Sequence, residues 1–198
     1  MRVRTDERRN AIVETAAAVF ADVGYERASM AMIAERTGGS KTTLYGYFPS
    51  KEELFFAAMT GPMPEQGERL LALLDPSQPD VTTVLRQFGQ MYLEIFASRA
   101  ALAVTRTAFT EGTRNKELSQ FLYQRGPKRV CDALSSYFAQ LKKRGVLPNI
   151  EPESAGLQLK ALFEAGVVEP LLMGTKPAWK RADAVDAAIA TFMAAIRR

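Results

Sequence analysis

Six side chains within eleven residues, Lys41, Thr42, Thr43, Tyr45, Tyr47 and Lys51, carry the chemistry of this chain. They suit contact with a polyanion better than bond-making. Threonine offers a base edge both a hydroxyl and a methyl that fits the thymine C5-methyl group. Tyr45 and Tyr47 can give their phenol groups to phosphates while their rings lie along the sugar edge. Lys41 falls in the first turn of one short helical segment, and Lys51 starts another whose dipole already favours anions. The same tyrosines and threonines on an isolated helix would read equally well as an ordinary solvated face. Their setting decides between the two.

That setting is a run of three helix starts in about two dozen residues. Ser29 is a good N-cap for a helix through Ile33 and Ala34 to about Arg36, because its hydroxyl can accept from an orphan amide of the first turn. Gly38 and Gly39 stop that helix, since glycine accepts the left-handed backbone that helix exits often need. Ser40 caps a second helix from Lys41 to about Phe48, and Pro49 follows as a stop. Ser50 and Glu53 form an S-x-x-E capping box that opens a third helix at Lys51. Two helices joined by a tight glycine turn have the geometry of a helix-turn-helix, whose second helix lies in the major groove. Leu44 and Phe48, four apart, give that second helix an apolar stripe to hold it on its neighbours.

The segment from about Arg8 to Met59 resembles the DNA-binding domain of the TetR family of bacterial transcriptional regulators. The matching marks are Ile12, Ala16 and Phe20 in the first helix, Gly24-Tyr25 after it, Ile33-Ala34, and S-K-x-T-L-Y-x-Y-F followed by S-K-E-E-L. They cover about a quarter of the chain and are specific as a set. The resemblance implies that Ser40 to Tyr47 read DNA and that Tyr47 and Lys51 hold its backbone, with Ser29 also at the interface. Two residues depart from the pattern. Gly39 stands where the family usually has a valine packed inside the turn, and Gly46 replaces a larger residue of the recognition helix, at a cost of about 1 kcal/mol relative to alanine.

Composition excludes most alternatives. The 198 residues contain no histidine and one cysteine, Cys131, which removes a histidine-based triad, a Cys-rich zinc site and an intrachain disulfide. Cys131, beside Val130 and ahead of Leu134 in a helical pattern, reads as a small buried hydrophobe rather than a redox sensor. There is no Walker loop or dinucleotide fingerprint, so no cofactor is expected and the chain is not read as an enzyme. The net charge of +4 does not argue for DNA, because residues 1–60 carry eight Lys/Arg and eight Asp/Glu. Arg2, Arg4, Arg8 and Arg9 could form an arm toward phosphates or a minor groove, or a frayed, solvated terminus. No apolar run nears the roughly 20 residues of a bilayer span and the N-terminus has no apolar signal core. A cytoplasmic protein is expected.

Helical periodicity fills the rest. Ile12, Ala16, Val19, Phe20 and Val23 form one face of a first helix from about Asp6, ended by Gly24. The fourth helix presents Leu54, Phe55, Ala58 and Met59, and G-P-M-P at 61–64 should kink or interrupt it. After the breaker DPSQPD, a long amphipathic helix from Val81 to Phe96 follows, then helices from about Ala100 to Glu111 and Lys116 to Arg144, the latter kinked at Gly126-Pro127. The last two run from about Glu153 to Met173 and Ala178 to Arg197. The fold class is all-α with about nine helices: a helix-turn-helix domain over residues 1–50, a connecting helix at 51–60, and a helical ligand-binding and dimerisation domain within 51–198.

The second domain resembles the ligand-sensing part of the same family, whose pocket lies between helices. Phe88, Met91, Tyr92, Phe96, Phe109, Phe121 and Tyr123 are candidate walls, although each aromatic also fits a plain core. Arg106 shares a helix face with Leu102 and Phe109 and needs a partner: a ligand carboxylate, an internal acid such as Glu94, Glu111 or Glu164, or solvent. Leu157, Ala161, Leu162 and Ala165 on one helix, with Val185, Ile189, Phe192, Met193 and Ile196 on the last, are candidates for a dimer interface. The family implies a homodimer joined by a four-helix bundle of these helices, a palindromic duplex operator, a small apolar or amphipathic effector and repression. A DNA-binding regulator controlled by a protein partner is the nearer rival. An all-α enzyme working through carboxylates such as Glu94 and Glu111 is the remote one.

Overall fold

The structure is a computed structural model that describes residues 5–61 and 63–196, with the backbone alone at 63 and 64. Arg2, Arg4, Pro62 and Arg197, which bear on the expected arm, break and last helix, lie outside the described residues. Every regular element among those described is helical. The chain divides after Gly61 into two units.

The first unit holds α1 (Asp6–Arg27), α2 (Met30–Arg36), α3 (Lys41–Tyr47) and α4 (Lys51–Thr60). The predicted caps form. Ser29, Ser40 and Ser50 each have extended backbone and accept from the amide three residues on, and Thr5 does the same for α1. Gly24, at φ 77°, breaks α1 and lets one more turn carry Tyr25 into the core. There Phe55 meets both Phe20 and Tyr25 edge-on, with ring centres 5.0 Å apart in each pair. Leu54 and Phe55 are buried, so α4, expected as a connector, packs on α1 as part of this unit. Ile12, Ala16, Val19, Ile33, Ala34 and Leu44 complete the core. Each larger side chain contributes roughly 1.5–3 kcal/mol by leaving water.

The second unit holds α5 (Met63–Ala72), α6 (Val81–Phe96), α7 (Arg99–Glu111), α8 (Lys116–Tyr123), α9 (Arg129–Lys143), α10 (Pro152–Glu164), α11 (Val168–Leu172) and α12 (Arg181–Ile196). Three predicted helices are divided. α4 stops at Gly61, whose φ is 51°. The helix expected over 116–144 passes through a π turn, Gln124–Lys128, at Pro127, where the wider ring accommodates a residue with no amide to donate. The helix expected to reach Met173 stops at Glu164, because Gly166 turns left-handed (φ 69°) and carries no side chain: a Cβ there would lie 2.6 Å from the Trp179 ring. The Ala178 amide donates to the Gly166 carbonyl, 2.8 Å, which fixes that loop and delays the last helix to Arg181.

The core of this unit is aromatic. Phe88, Tyr92, Phe163 and Phe138 are fully buried, and the Phe138 ring meets Phe192 at 5.3 Å. Gly89 allows the close approach of α6 to α10 and α12, since a Cβ there would fall 2.6 Å from the Phe163 ring and 2.9 Å from Val185. Among the described residues no helix is long and apolar enough to cross a membrane.

Candidate nucleic-acid interface

The side chains of α3 leave the helix on distinguishable sides. Leu44 and, just past the helix, Phe48 point into the core. Lys41, Thr42 and Tyr45 stand exposed, with the Lys41 ammonium 5.9 Å from the centre of the Tyr45 ring. Ser40, Thr43, Gly46 and Tyr47 line a cleft of about 1020 Å³ shared with Arg8 and neighbouring residues at the start of α1. The Ser40 and Thr43 hydroxyls bond each other at 2.9 Å, and Ser40 also takes the Thr43 amide at 3.0 Å. Tyr47 is tied to the N-cap of α1 through the Thr5 amide, which donates to its hydroxyl at 3.4 Å. Ser29 is exposed but holds the Met32 amide, 3.2 Å.

Lys51 is positioned by the end of α1. Its ammonium lies 4.0 Å above the Tyr25 ring and 3.4 Å from the Glu26 carbonyl. Tyr25 in turn donates its hydroxyl to Glu52 at 2.5 Å. Burial pushes the Glu52 carboxyl up, but the bonds from Tyr25, from its own backbone and from Ser50, with Lys51 beside it, outweigh burial and leave its pKa below the usual value. The site thus presents cations and hydroxyls on a helix whose inner side is locked. Such an arrangement is chemically suited to phosphates and base edges and needs no movement of its own backbone to meet them.

Arg8, offered by the sequence as part of an arm or a frayed terminus, lies inside α1. Its guanidinium donates to the Thr37 carbonyl at 3.0 Å and so bridges α1 to the end of α2. Arg9 lies 5.0 Å over the Phe48 ring. Both belong to helix rather than to a frayed arm. The space that a valine was expected to fill at position 39 is bordered instead by Arg8, whose Nη2 would stand 2.9 Å from a Cβ on Gly39. A long cation in the first turn after the Thr5 cap was the only signal in the sequence.

The sensor candidates separate into three groups. Phe88 and Tyr92 are core, stacked at 6.3 Å, with Phe163 6.4 and 6.2 Å away respectively. Phe96 stacks on Tyr92 at 4.5 Å, and it and Met91 are half-buried against that core. Phe121 is half-buried, with the Arg125 guanidinium 5.0 Å over its ring. Phe109 and Tyr123, at 73% and 52% exposure, stand on the surface and form no internal wall; for Phe109 the reason is that α7 buries only the first turn of its apolar face, Ala101 and Leu102. Arg106 is exposed too. It gives Nε and Nη2 to the carbonyls of Leu172 and Leu171, at 3.0 and 2.7 Å, and caps α11. Those carbonyls, and not the carboxylates suggested for it, satisfy its donors.

Glu164 has other partners. It accepts from the Tyr92 hydroxyl and from Lys160, 2.8 Å to each oxygen. Burial first, and then the Glu164 charge, push the Tyr92 phenol far above its ordinary range. The dimer candidates are also re-sorted. Val185, Ile189 and Phe192 are buried in their own unit, since the larger side chains of α12 face α6 and α10. Met193, Ile196 and Leu162 are half-buried against the same core. Leu157, at 55%, with Ala161 and Ala165, remains outward on α10.

Residues 12–58 match the model of the bacterial regulatory proteins of the tetR family, and residues 83–197 match that of the AefR-like transcriptional repressor C-terminal domain. Over 58 residues the chain is 47% identical to the HTH-type transcriptional activator FasR of Mycolicibacterium smegmatis, a match covering 29% of this chain and 26% of the activator. The chain thus spans about a quarter of that relative's length. It is 24% identical over 160 residues to the uncharacterized HTH-type transcriptional regulator YhgD of Bacillus subtilis, 80% of this chain and 82% of the other. Among solved structures, the Flavonoid-responsive Regulator FrrA matches with a TM-score of 0.76 at 26% identity, covering 96% of this chain and 97% of that one.

Proposed function

We propose that this chain, which belongs to the TetR family of bacterial regulators, holds a palindromic operator as a homodimer and releases it when a small apolar or amphipathic molecule binds its C-terminal unit. That it is a DNA-binding transcriptional regulator, and not an enzyme, follows from the family. The operator, the effector and the sign of control are the proposal. The observation that carries it is the exposed side of α3, where Lys41, Thr42 and Tyr45 face outward from a helix capped by Ser40.

Repression is supported by the match of more than half the chain to a repressor's C-terminal domain. The likeness to an activator is confined to the reading head, which is neutral as to sign. For the effector, the half-buried Phe96 and Met91, packed against the buried Phe88, Tyr92 and Phe163, offer apolar surface, and Glu164 with Lys160 beside it offers polar anchors. The flavonoid response of one relative supports the same class of aromatic, amphipathic molecule. Such a ligand shifts the protein only through a difference in affinity between the DNA-bound and released conformers, and 5–150-fold is the usual size of such coupling, about 1–3 kcal/mol.

Thermal denaturation against a panel of flavonoids and acyl compounds tests the sensor. An effector raises stability by about 2.7 kcal/mol at a hundred times its Kd, and the same compound lowers operator affinity. Compounds that stabilise the protein but leave DNA affinity unchanged would remove the effector role.

A further inference from the structure

We infer that Arg8 is a DNA-backbone contact of the reading head and that position 39 is glycine in order to admit its guanidinium. The inference goes beyond the family's DNA binding and rests on it. The turn between α2 and α3 contains two glycines, but the backbone needs only one of them: Gly38 has φ 63°, while Gly39 is not in the left-handed region. An L side chain is therefore compatible with the backbone at 39. What opposes it is Arg8 Nη2, which a Cβ would meet at 2.9 Å, whereas the next nearest atom, Thr37 Oγ1, is 3.7 Å away.

The guanidinium has five N–H donors in a rigid fork. One is committed to the Thr37 carbonyl, which fixes the group at the turn. Arg8 borders the same cleft as Ser40, Thr43 and Tyr47 of the recognition helix, so a polynucleotide strand addressed by those side chains passes the guanidinium. Gly38, Gly39 and Gly46 are also part of the cleft's lining. Its volume, about 1020 Å³, stands at the upper end of the range for small-molecule pockets, roughly 300–1,000 Å³, and its open form suits a stretch of sugar-phosphate backbone. Glu7 is the acid on this rim, and it opposes a phosphate, which makes a held cation necessary there. Because the atom that Gly39 accommodates is the end of a flexible side chain, a methyl at 39 displaces Arg8 and leaves the fold intact.

The test is a coupling measurement. Affinity for a duplex selected by the protein from a random pool is measured across a range of salt for the wild type, Arg8→Ala, Gly39→Ala, the double variant and Arg8→Lys, with thermal melts alongside. Arg8→Ala is expected to weaken binding about tenfold and to reduce the magnitude of the salt slope by about 0.9. Gly39→Ala is expected to do the same when Arg8 is present and to add nothing when it is absent. Arg8→Lys keeps the slope and loses part of the affinity. Wild-type affinity and slope in both single variants, or effects that add in the double variant, overturn the inference. Should Gly39→Ala melt early, Arg8→Ala against Arg8→Lys decides, because only a phosphate contact separates them in slope. Lys41→Ala is the control: if it weakens binding while the Arg8 variants do not, the reading head stands and the inference falls.

Discussion

Lys41 and Tyr47 are proposed to serve the interface from different sides of one helix, Lys41 free of the core and Tyr47 tied to the start of α1 through Thr5. Removing both functions, as Lys41→Ala with Tyr47→Phe, deletes a cation and a phenol without touching Leu44 or Phe48. The variant is expected to stay folded and dimeric and to lose roughly tenfold or more in operator affinity, with a shallower salt dependence; a salt titration by fluorescence anisotropy reads both. A second residue makes an independent prediction about stability. The Tyr137 hydroxyl is buried with no hydrogen-bond partner among the described residues, and burial pushes its pKa up to about 12. A folded pKa above the ordinary value of 10 means that this tyrosine's protonated form supports the fold below pH 10 and that the support is lost as the pH rises from 10 through about 12. Tyr137→Phe removes an unsatisfied polar group, so thermal melts should show unchanged or higher stability at pH 7 and a smaller loss above pH 10.

The helix starts of the reading head were legible because each is decided within four residues: Ser29, Ser40 and Ser50 cap α2, α3 and α4, and Gly38 terminates α2. The break after α10 was not, because it depends on Trp179 lying against Gly166 thirteen residues earlier in the chain. The apolar stripe of α12 was read correctly as a stripe, but periodicity does not say whether it faces a partner or its own unit, and Val185, Ile189 and Phe192 turn inward. In the same way Leu102, Arg106 and Phe109 share a helix face by spacing, yet only Leu102 is covered, since packing on α7 ends after its first turn. Gly89 was unremarked in sequence because the reason for it sits on two other helices. Its place between Phe163 and Val185 predicts that Gly89→Ala overpacks the junction of α6, α10 and α12, costing roughly 1–3 kcal/mol. Urea denaturation at pH 7 measures that loss, and wild-type stability would show that the helices separate freely.

At the scale of the molecule, the proposal gives reading to the first unit and regulation to the second. Dimerisation is proposed on the outward sides of α10 and α12, where Leu157, Ala161, Ala187, Ala190 and Ala194 are exposed and the small size of the alanines permits close helix approach. Two-fold symmetry then requires two copies of α3 to address two equivalent half-sites. Gly46 removes one side chain that could read a base, so the operator's sequence does not follow from the family, and its symmetry belongs to the proposal. Selection of bound duplexes from a random pool, followed by sequencing, tests the symmetric reading head most directly. An inverted repeat with half-site centres about 34–36 Å apart is the expected result; recovery of a single unrepeated site, or no enrichment over input, would contradict it.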